Sequence, residues 1–146
     1  AEQPENDALA SDWLDLLQSQ RADFTLAHRH LADAALPGQT SALRRQFSDQ
    51  AALDAWLARW QARQTSEAAA PEARAQQMRL ANPLYIPRNH QVEAALSAAV
   101  EQGDLAAFEL LLSVLQQPFQ ARQGFAAFEN PASAQAMAGY RTFCGT

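Results

Sequence analysis

The sequence contains no lysine, and all 11 of its positively charged side chains are arginine. This absence excludes, within these 146 residues, a Schiff-base lysine and the lysine of a phosphate-binding loop or a kinase site. The five glycines are widely scattered, so the chain also lacks a glycine-rich loop that could cradle phosphates. We find no GxSxG, CxxC or HExxH motif and therefore identify no catalytic residue in this chain.

Aliphatic β-branched residues are also scarce: there are only four, Ile86, Val92, Val100 and Val114. Alanine and leucine are abundant instead, which favours helix over sheet. No apolar run is long enough to cross a bilayer, and the net charge of −5 argues against binding to nucleic acid or to an anionic membrane. We see no signal peptide and expect a cytoplasmic protein without nucleic-acid or membrane partners.

The stretch from Asn82 to Phe119 has the clearest signals of local structure. Its first part, NPLYIPRN, contains two prolines that disfavour helix at the residues before them, so we predict an extended strip. Asn89 is then expected to cap a helix, Gly103 to end it in a left-handed conformation, and Asp104 to cap the next helix. The short break predicts an antiparallel helical hairpin.

Together these patterns predict an all-α protein, an irregular bundle of five to seven helices with this hairpin at its centre and an irregular C-terminal tail. We predict a helical segment over 1–64, a linker over 65–71, the strip and hairpin over 72–118, and a loop with a tail over 119–146. A first helix is expected to begin at Asp7 or Ser11, a second at the cap Asp23, and a third at the cap Ser48 or Asp49. The predicted core comprises Trp13, Leu53, Trp56, Trp60, Leu96, Phe108, Leu112 and Leu115.

Three residues invite a binding function. His28 and His30 are two positions apart on a predicted helix and so point to opposite sides, whereas a helical metal pair needs a spacing of three or four, and we expect no metal site. Arg88 follows a proline and precedes the predicted cap Asn89, so its guanidinium could hold a carboxylate or phosphate in fixed geometry. The alternative, which we favour, is that Arg88 pairs structurally with an acid or a helix C-terminus.

Several segments, taken in order, resemble the C-terminal region of the selenoprotein O family; they are DFTLAHRHLA, DAWLARWQAR, MRLANPLYIPRNHQVEAAL, GDLAAFELLLSVLQQPF and YRTFCGT. The resemblance implies a parent with a kinase-like fold that transfers AMP from ATP to protein hydroxyl groups, using a divalent metal. The family's nucleotide and metal residues lie upstream, and nothing here matches them. Cys144 matches the family's redox-active position third from the end, although the Cys-Gly-Thr ending departs from the usual Cys-Ser-Ser type.

The resemblance therefore implies a C-terminal helical region without a catalytic centre. It implies no cofactor in this chain, ATP and magnesium in the parent, and two partners: the upstream catalytic region and the parent's protein substrates. Cys144 is then expected to act as a redox switch, with a disulfide partner outside the chain because it is the only cysteine. The alternative function is a freestanding helical interaction module without enzymatic activity.

Overall fold

A computed structural model describes residues 2–133 together with 135 and 138, and within these residues it contains only helices and irregular segments. The predicted all-α class is confirmed. The described helices are α1 (Glu2–Gln20), α2 (Phe24–Ala34), α3 (Ser41–Arg44), α4 (Gln50–Thr65), α5 (Pro71–Ala81), α6 (Asn89–Gln102), α7 (Ala106–Leu115) and a 3-10 turn at Ala126–Phe128. None of the helices in this part of the chain is long and apolar enough to cross a membrane.

Contacts divide the chain into two compact units, Ala1–Pro83 and Leu84–Thr146. The first unit has a core of large side chains in which Trp13 of α1 lies 4.5 Å, between ring centroids, from Trp56 of α4. The other buried members include Leu17, Ala27, Leu31, Ala34, Leu43, Phe47, Leu53 and Leu57, with Trp60 partly buried beside them. The prediction that the tryptophan stripes form a core is therefore confirmed for this unit.

Helix α1 begins at Glu2, so the expected start at Asp7 or Ser11 is wrong. Pro4 is compatible with the first turn, where a backbone N–H has no intrahelical partner anyway. The exposed Glu5 lies near this end, where the helix dipole favours negative charge. In addition, Nε of Arg63 on α4 donates to Oδ1 of Asn6 at 2.9 Å, and this contact stabilises the first turns.

Some of the predicted helix ends are confirmed. The carboxylates of Asp23 and Asp49 accept from the backbone N–H groups of Leu26 and Ala52 and so cap α2 and α4. Gly103 ends α6 with a φ of 66°, a conformation that glycine adopts without strain. Asn89, however, is the first residue of α6 rather than its cap, because Arg88 occupies the capping position with extended backbone. The predicted cap Asp104 is not the capping residue of α7, since Leu105 occupies that position, although the Asp104 carboxylate accepts from the backbone N–H of Ala106 at 2.9 Å.

Helices α6 and α7 contact each other, as the hairpin prediction requires. The buried residues of α7 are nevertheless Leu111 and Val114, whereas the predicted core residues Leu96, Phe108 and Leu112 are 47%, 44% and 45% exposed. This part of the core prediction is wrong. Because α7 is apolar on nearly every side, its periodicity did not identify the face that packs within the unit.

Candidate functional site

The extended strip that precedes α6 is held by the chain segment that follows α7. The backbone N–H groups of Leu84 and Tyr85 both donate to the carbonyl of Pro118, at 2.7 and 3.1 Å. The two side chains are 5% and 1% exposed and form a small core with Val114. Backbone hydrogen bonds and side-chain packing therefore both hold the strip in place.

Tyr85 and Arg122 fix the turn after α7. The Tyr85 hydroxyl accepts from the backbone N–H of Arg122 at 3.0 Å. The Arg122 guanidinium donates from Nη2 to the carbonyls of Ser113 and Val114, at 3.1 and 3.3 Å, and lies 4.5 Å from the centre of the Phe125 ring. These bonds satisfy carbonyls of the last turn of α7 that lack helical partners, and they place a cation where the helix dipole favours one.

The start of α6 holds the segment beyond that turn. Nη2 of Arg88 donates to the carbonyl of Glu129 at 3.0 Å, and Nε2 of Gln91 donates to the carbonyl of Ala127 at 2.8 Å. We call Tyr85, Arg88, Gln91 and Arg122 the loop clamp, because together they hold residues 118–129 against the strip and helix. Asn89 is exposed and lies beside the clamp rather than within it.

The hydrogen bonds of the loop clamp hold the backbone in place. Its bonds described here end on backbone carbonyls or on a backbone N–H, which are neutral groups. Arg88 is thereby placed in contact with the backbone carbonyl of Glu129, and its role as a structural pair or as an anion contact stays a prediction. The sequence patterns did not indicate a role for Tyr85 or Arg122. The available signal was a tyrosine in a strip between two prolines, since the hydroxyl of a buried tyrosine needs a hydrogen-bond partner.

A second charged cluster lies in the first unit, between α2 and α5. Arg79 of α5 donates to Oδ1 of Asp33 on α2 from Nε at 3.1 Å and from Nη2 at 2.5 Å. Nδ1 of His30 lies 3.6 Å from the other carboxylate oxygen. The polar contact with His30, and next the hydrogen bond and charge of Arg79, lower the pKa of Asp33 although partial burial opposes this.

The buried Arg29 strengthens the same junction. It is only 9% exposed, and its Nη1 donates to the carbonyls of Arg79 and Asn82, at 2.9 and 3.2 Å. These carbonyls belong to the C-terminal end of α5, where the helix leaves acceptors without partners. Arg29 therefore connects α2 to α5 and was not singled out by sequence analysis.

The histidines of the HRH motif have separate surroundings. Nε2 of His28 accepts from the indole N–H of Trp13 at 3.1 Å, so its Nδ1, 2.7 Å from the carbonyl of Phe24, is the donor of the neutral ring. His30 faces Asp33 instead. Among the residues that the structure describes, no group of three or more His, Cys, Asp or Glu side chains could hold a metal ion. The other predicted site residue, Cys144, lies outside the described residues.

A groove of about 580 Å³ lies between α1 and α4. Arg59 and Arg63 line it together with Glu5 and Asn6. Both arginines already have partners in the chain, since Arg59 contacts Asp12 at 2.6 Å and Arg63 contacts Asn6. An anion in this groove would therefore have to compete with these partners for the two arginines.

A family model and individual relatives relate this chain to the same group of proteins. The family model described as protein adenylyltransferase SelO matches residues 1–116. Proteins named protein nucleotidyltransferase YdiU are similar over almost the whole chain: 47% identical over 145 residues in Chromobacterium violaceum, 46% over 145 in Rhodopseudomonas palustris and 51% over 143 in Cereibacter sphaeroides.

These matches cover 99%, 99% and 97% of this chain but only 30%, 29% and 28% of the respective relatives. The chain thus spans less than a third of the length of the proteins it matches. The family model covers well over half of the chain, and the relatives carry the corresponding activity in their names. The chain therefore belongs to the SelO family of protein adenylyltransferases.

Proposed function

We propose that this chain is the C-terminal helical region of a protein adenylyltransferase that transfers AMP from ATP to hydroxyl groups of proteins. The observation that carries the proposal is the match to YdiU nucleotidyltransferases along 99% of the chain and only 30% of the relative. In this proposal the remaining length of the parent contains the catalytic region. The helical region packs on that region, and the parent's protein substrates are bound elsewhere.

ATP and magnesium do not fit the residues present here. The sequence has no lysine to contact phosphates, the described residues lack a cluster of metal-binding side chains, and the arginines of the loop clamp contact backbone carbonyls. We therefore assign no step of the transfer to this chain. In the proposal, the nucleotide and its metal are bound by the upstream part of the parent, and this region supports that part.

The loop clamp indicates how this region could support the upstream part of the parent. The hydrogen bond from Arg88 to the carbonyl of Glu129 anchors the chain 15 residues before Cys144. A partner on the same molecule is present at a high effective concentration. We include Cys144 in the proposal as a redox switch at the end of this tail.

The switch requires a second thiol on the parent, because the chain has no other cysteine. Oxidation would join the two sulfurs in a disulfide and release two protons and two electrons. A small disulfide such as oxidised glutathione would accept the electrons and become two thiols. The disulfide would hold the tail on the catalytic region, and a reductant would release it.

The activity is tested by incubating the parent protein with magnesium, an acceptor protein and ATP labelled either in the α- or in the γ-phosphate. Adenylyl transfer predicts that the α-label enters protein and that the γ-label does not. Protein labelling from the γ-phosphate alone would identify a kinase, and labelling from neither would overturn the proposed activity.

Cys144 is tested by non-reducing peptide mapping of the oxidised parent. The proposal predicts a disulfide between the Cys144 peptide and an upstream peptide, and an AMP-transfer rate that changes on reduction in the parent but not in Cys144→Ser. Recovery of Cys144 as a free thiol, together with an unchanged response of the Cys144→Ser variant to reductant, would disprove the switch. The transfer activity itself could still stand.

A further inference from the structure

Helix α7 has far more apolar surface than its own unit covers. Its ten residues, AAFELLLSVL, include only two polar ones, Glu109 and Ser113, which are four apart and so lie on one narrow strip. The unit buries Leu111 and Val114. On the adjoining side, Leu105, Phe108 and Leu112 repeat at steps of three and four and are 54%, 44% and 45% exposed. We call these three residues the α7 flank.

Exposure of this kind is concentrated in one part of the molecule. Ten large apolar side chains are exposed among the described residues, and seven of them fall between positions 96 and 119. Among its described residues, the small core of the same unit has three buried members, Leu84, Tyr85 and Val114. A helix that is apolar on nearly all sides is characteristic of a protein interior rather than of a surface, so the α7 flank has the composition of one half of a core.

The size of the α7 flank favours a partner that is covalently tethered. Three side chains, each about half exposed, offer on the order of 300 Å², whereas a stable interface between separate molecules buries about 800 Å² on each partner. A contact within one polypeptide needs less area, because the tether supplies a high effective concentration. A second copy of the chain is therefore the weaker candidate.

The relatives indicate where a tethered partner would come from. They match this chain from end to end, yet more than two thirds of their length lies outside the match. We propose that the α7 flank is a docking surface for an apolar face of the parent polypeptide outside these 146 residues. The inference rests on the proposed function, since it requires the same longer parent, and it adds which residues of the helical region make the contact.

Site-specific photo-crosslinking in the full-length parent tests the docking surface. Benzoylphenylalanine is introduced in place of Leu112, and in a second protein in place of Leu105. The matched control carries it in place of Leu14, a leucine of α1 that is 50% exposed. After irradiation, the products are separated by mass and the crosslinked peptides are identified by mass spectrometry.

The expected product is an internally crosslinked monomer joining α7 to a peptide outside residues 1–146, at a yield several-fold above that of the Leu14 control. Crosslinked dimers would assign the surface to a second copy, and equal yields at all three positions or no crosslink would show that nothing specific covers it. Each of these outcomes overturns the inference. Because crosslinking does not depend on catalysis, AMP transfer measured on the unsubstituted parent tests the proposed function separately.

Discussion

Arg88 and Glu129 are 41 positions apart in the sequence and are joined by a hydrogen bond of 3.0 Å, from guanidinium Nη2 to the backbone carbonyl. The bond connects the residue that precedes α6 to the segment that follows the 3-10 turn. Its acceptor is a peptide group, so its contribution does not depend on the ionisation of a partner. It is one of four side-chain anchors that give the loop after α7 a defined course.

Replacing Arg88 with lysine is expected to weaken this part of the molecule by about 1 kcal/mol, since an ammonium group cannot reproduce the planar fork of the guanidinium. Amide hydrogen exchange over residues 84–130 measures the effect, which should appear as faster exchange in the loop. Arg45→Lys, at an exposed position of the first unit, is the matched control and should leave exchange unchanged. Equal exchange in all three proteins would remove Arg88 from the clamp.

Tyr85→Phe is expected to lower the free energy of unfolding by about 1–3 kcal/mol, because it deletes the hydroxyl that accepts from the backbone N–H of Arg122. Tyr85 is only 1% exposed, so water does not readily replace this acceptor. The most specific measurement is the exchange rate of the Arg122 amide proton in a nuclear magnetic resonance spectrum. We expect this proton to exchange faster in the variant. Unaltered protection of that amide would show that the hydroxyl is not its partner.

The sequence predicted several features that depend on neighbouring residues, although the cap expected at Asn89 and the start expected for α1 were wrong. It missed the features that depend on distant residues. The caps at Asp23 and Asp49 and the left-handed Gly103 follow from local chemistry, and all are present. The acceptor of Arg88 is a carbonyl that every residue possesses, so no pattern identifies Glu129. The same holds for Arg29, whose acceptors are carbonyls at the end of α5.

The error on α7 has a related cause. Periodicity reports that a helix has an apolar face, but an apolar residue on every side leaves the choice of face to the surrounding structure. The sequence showed no such ambiguity for α1 and α4, where polar residues surround the stripes of Trp13 and Trp56, and there the buried face was predicted correctly.

Leu111 and Leu112 provide a direct test of the face that α7 buries. They are adjacent residues of the same type, 6% and 45% exposed. In the 146-residue chain, Leu111→Ala should destabilise the second unit by about 2–4 kcal/mol through lost burial and a cavity, and Leu112→Ala by less than about 1 kcal/mol. Hydrogen exchange of α6 and α7 measures both changes, and a larger effect at Leu112 would reverse the assignment of the buried face.

Asp33 should make the stability of the first unit depend on pH. Its pKa is lowered below the ordinary value of 3.8 by His30 and Arg79, so the folded state binds the proton less readily than the unfolded state. The resulting stabilisation is present above pH 3.8 and is lost as pH falls through the lower folded pKa. Because Asp33 is partly exposed, we expect a modest effect.

The measurement is urea unfolding between pH 7 and pH 2, followed by tryptophan fluorescence, since all three tryptophans lie in Ala1–Pro83. Asp33→Asn should reduce the acid-dependent loss of stability. Asp54→Asn is the control, as its bridge to Arg44 is more exposed. If the two variants have the same pH dependence as the unsubstituted chain, Asp33 does not contribute.

Calorimetric titration with ATP and magnesium is the most direct test of our proposal that this chain supports a catalytic centre located elsewhere in its parent. The 146-residue chain and the full-length parent are titrated side by side under reducing conditions. We expect saturable heat of binding for the parent and none for the 146-residue chain, which lacks lysine throughout its sequence. Micromolar binding of ATP by the 146-residue chain alone would contradict it.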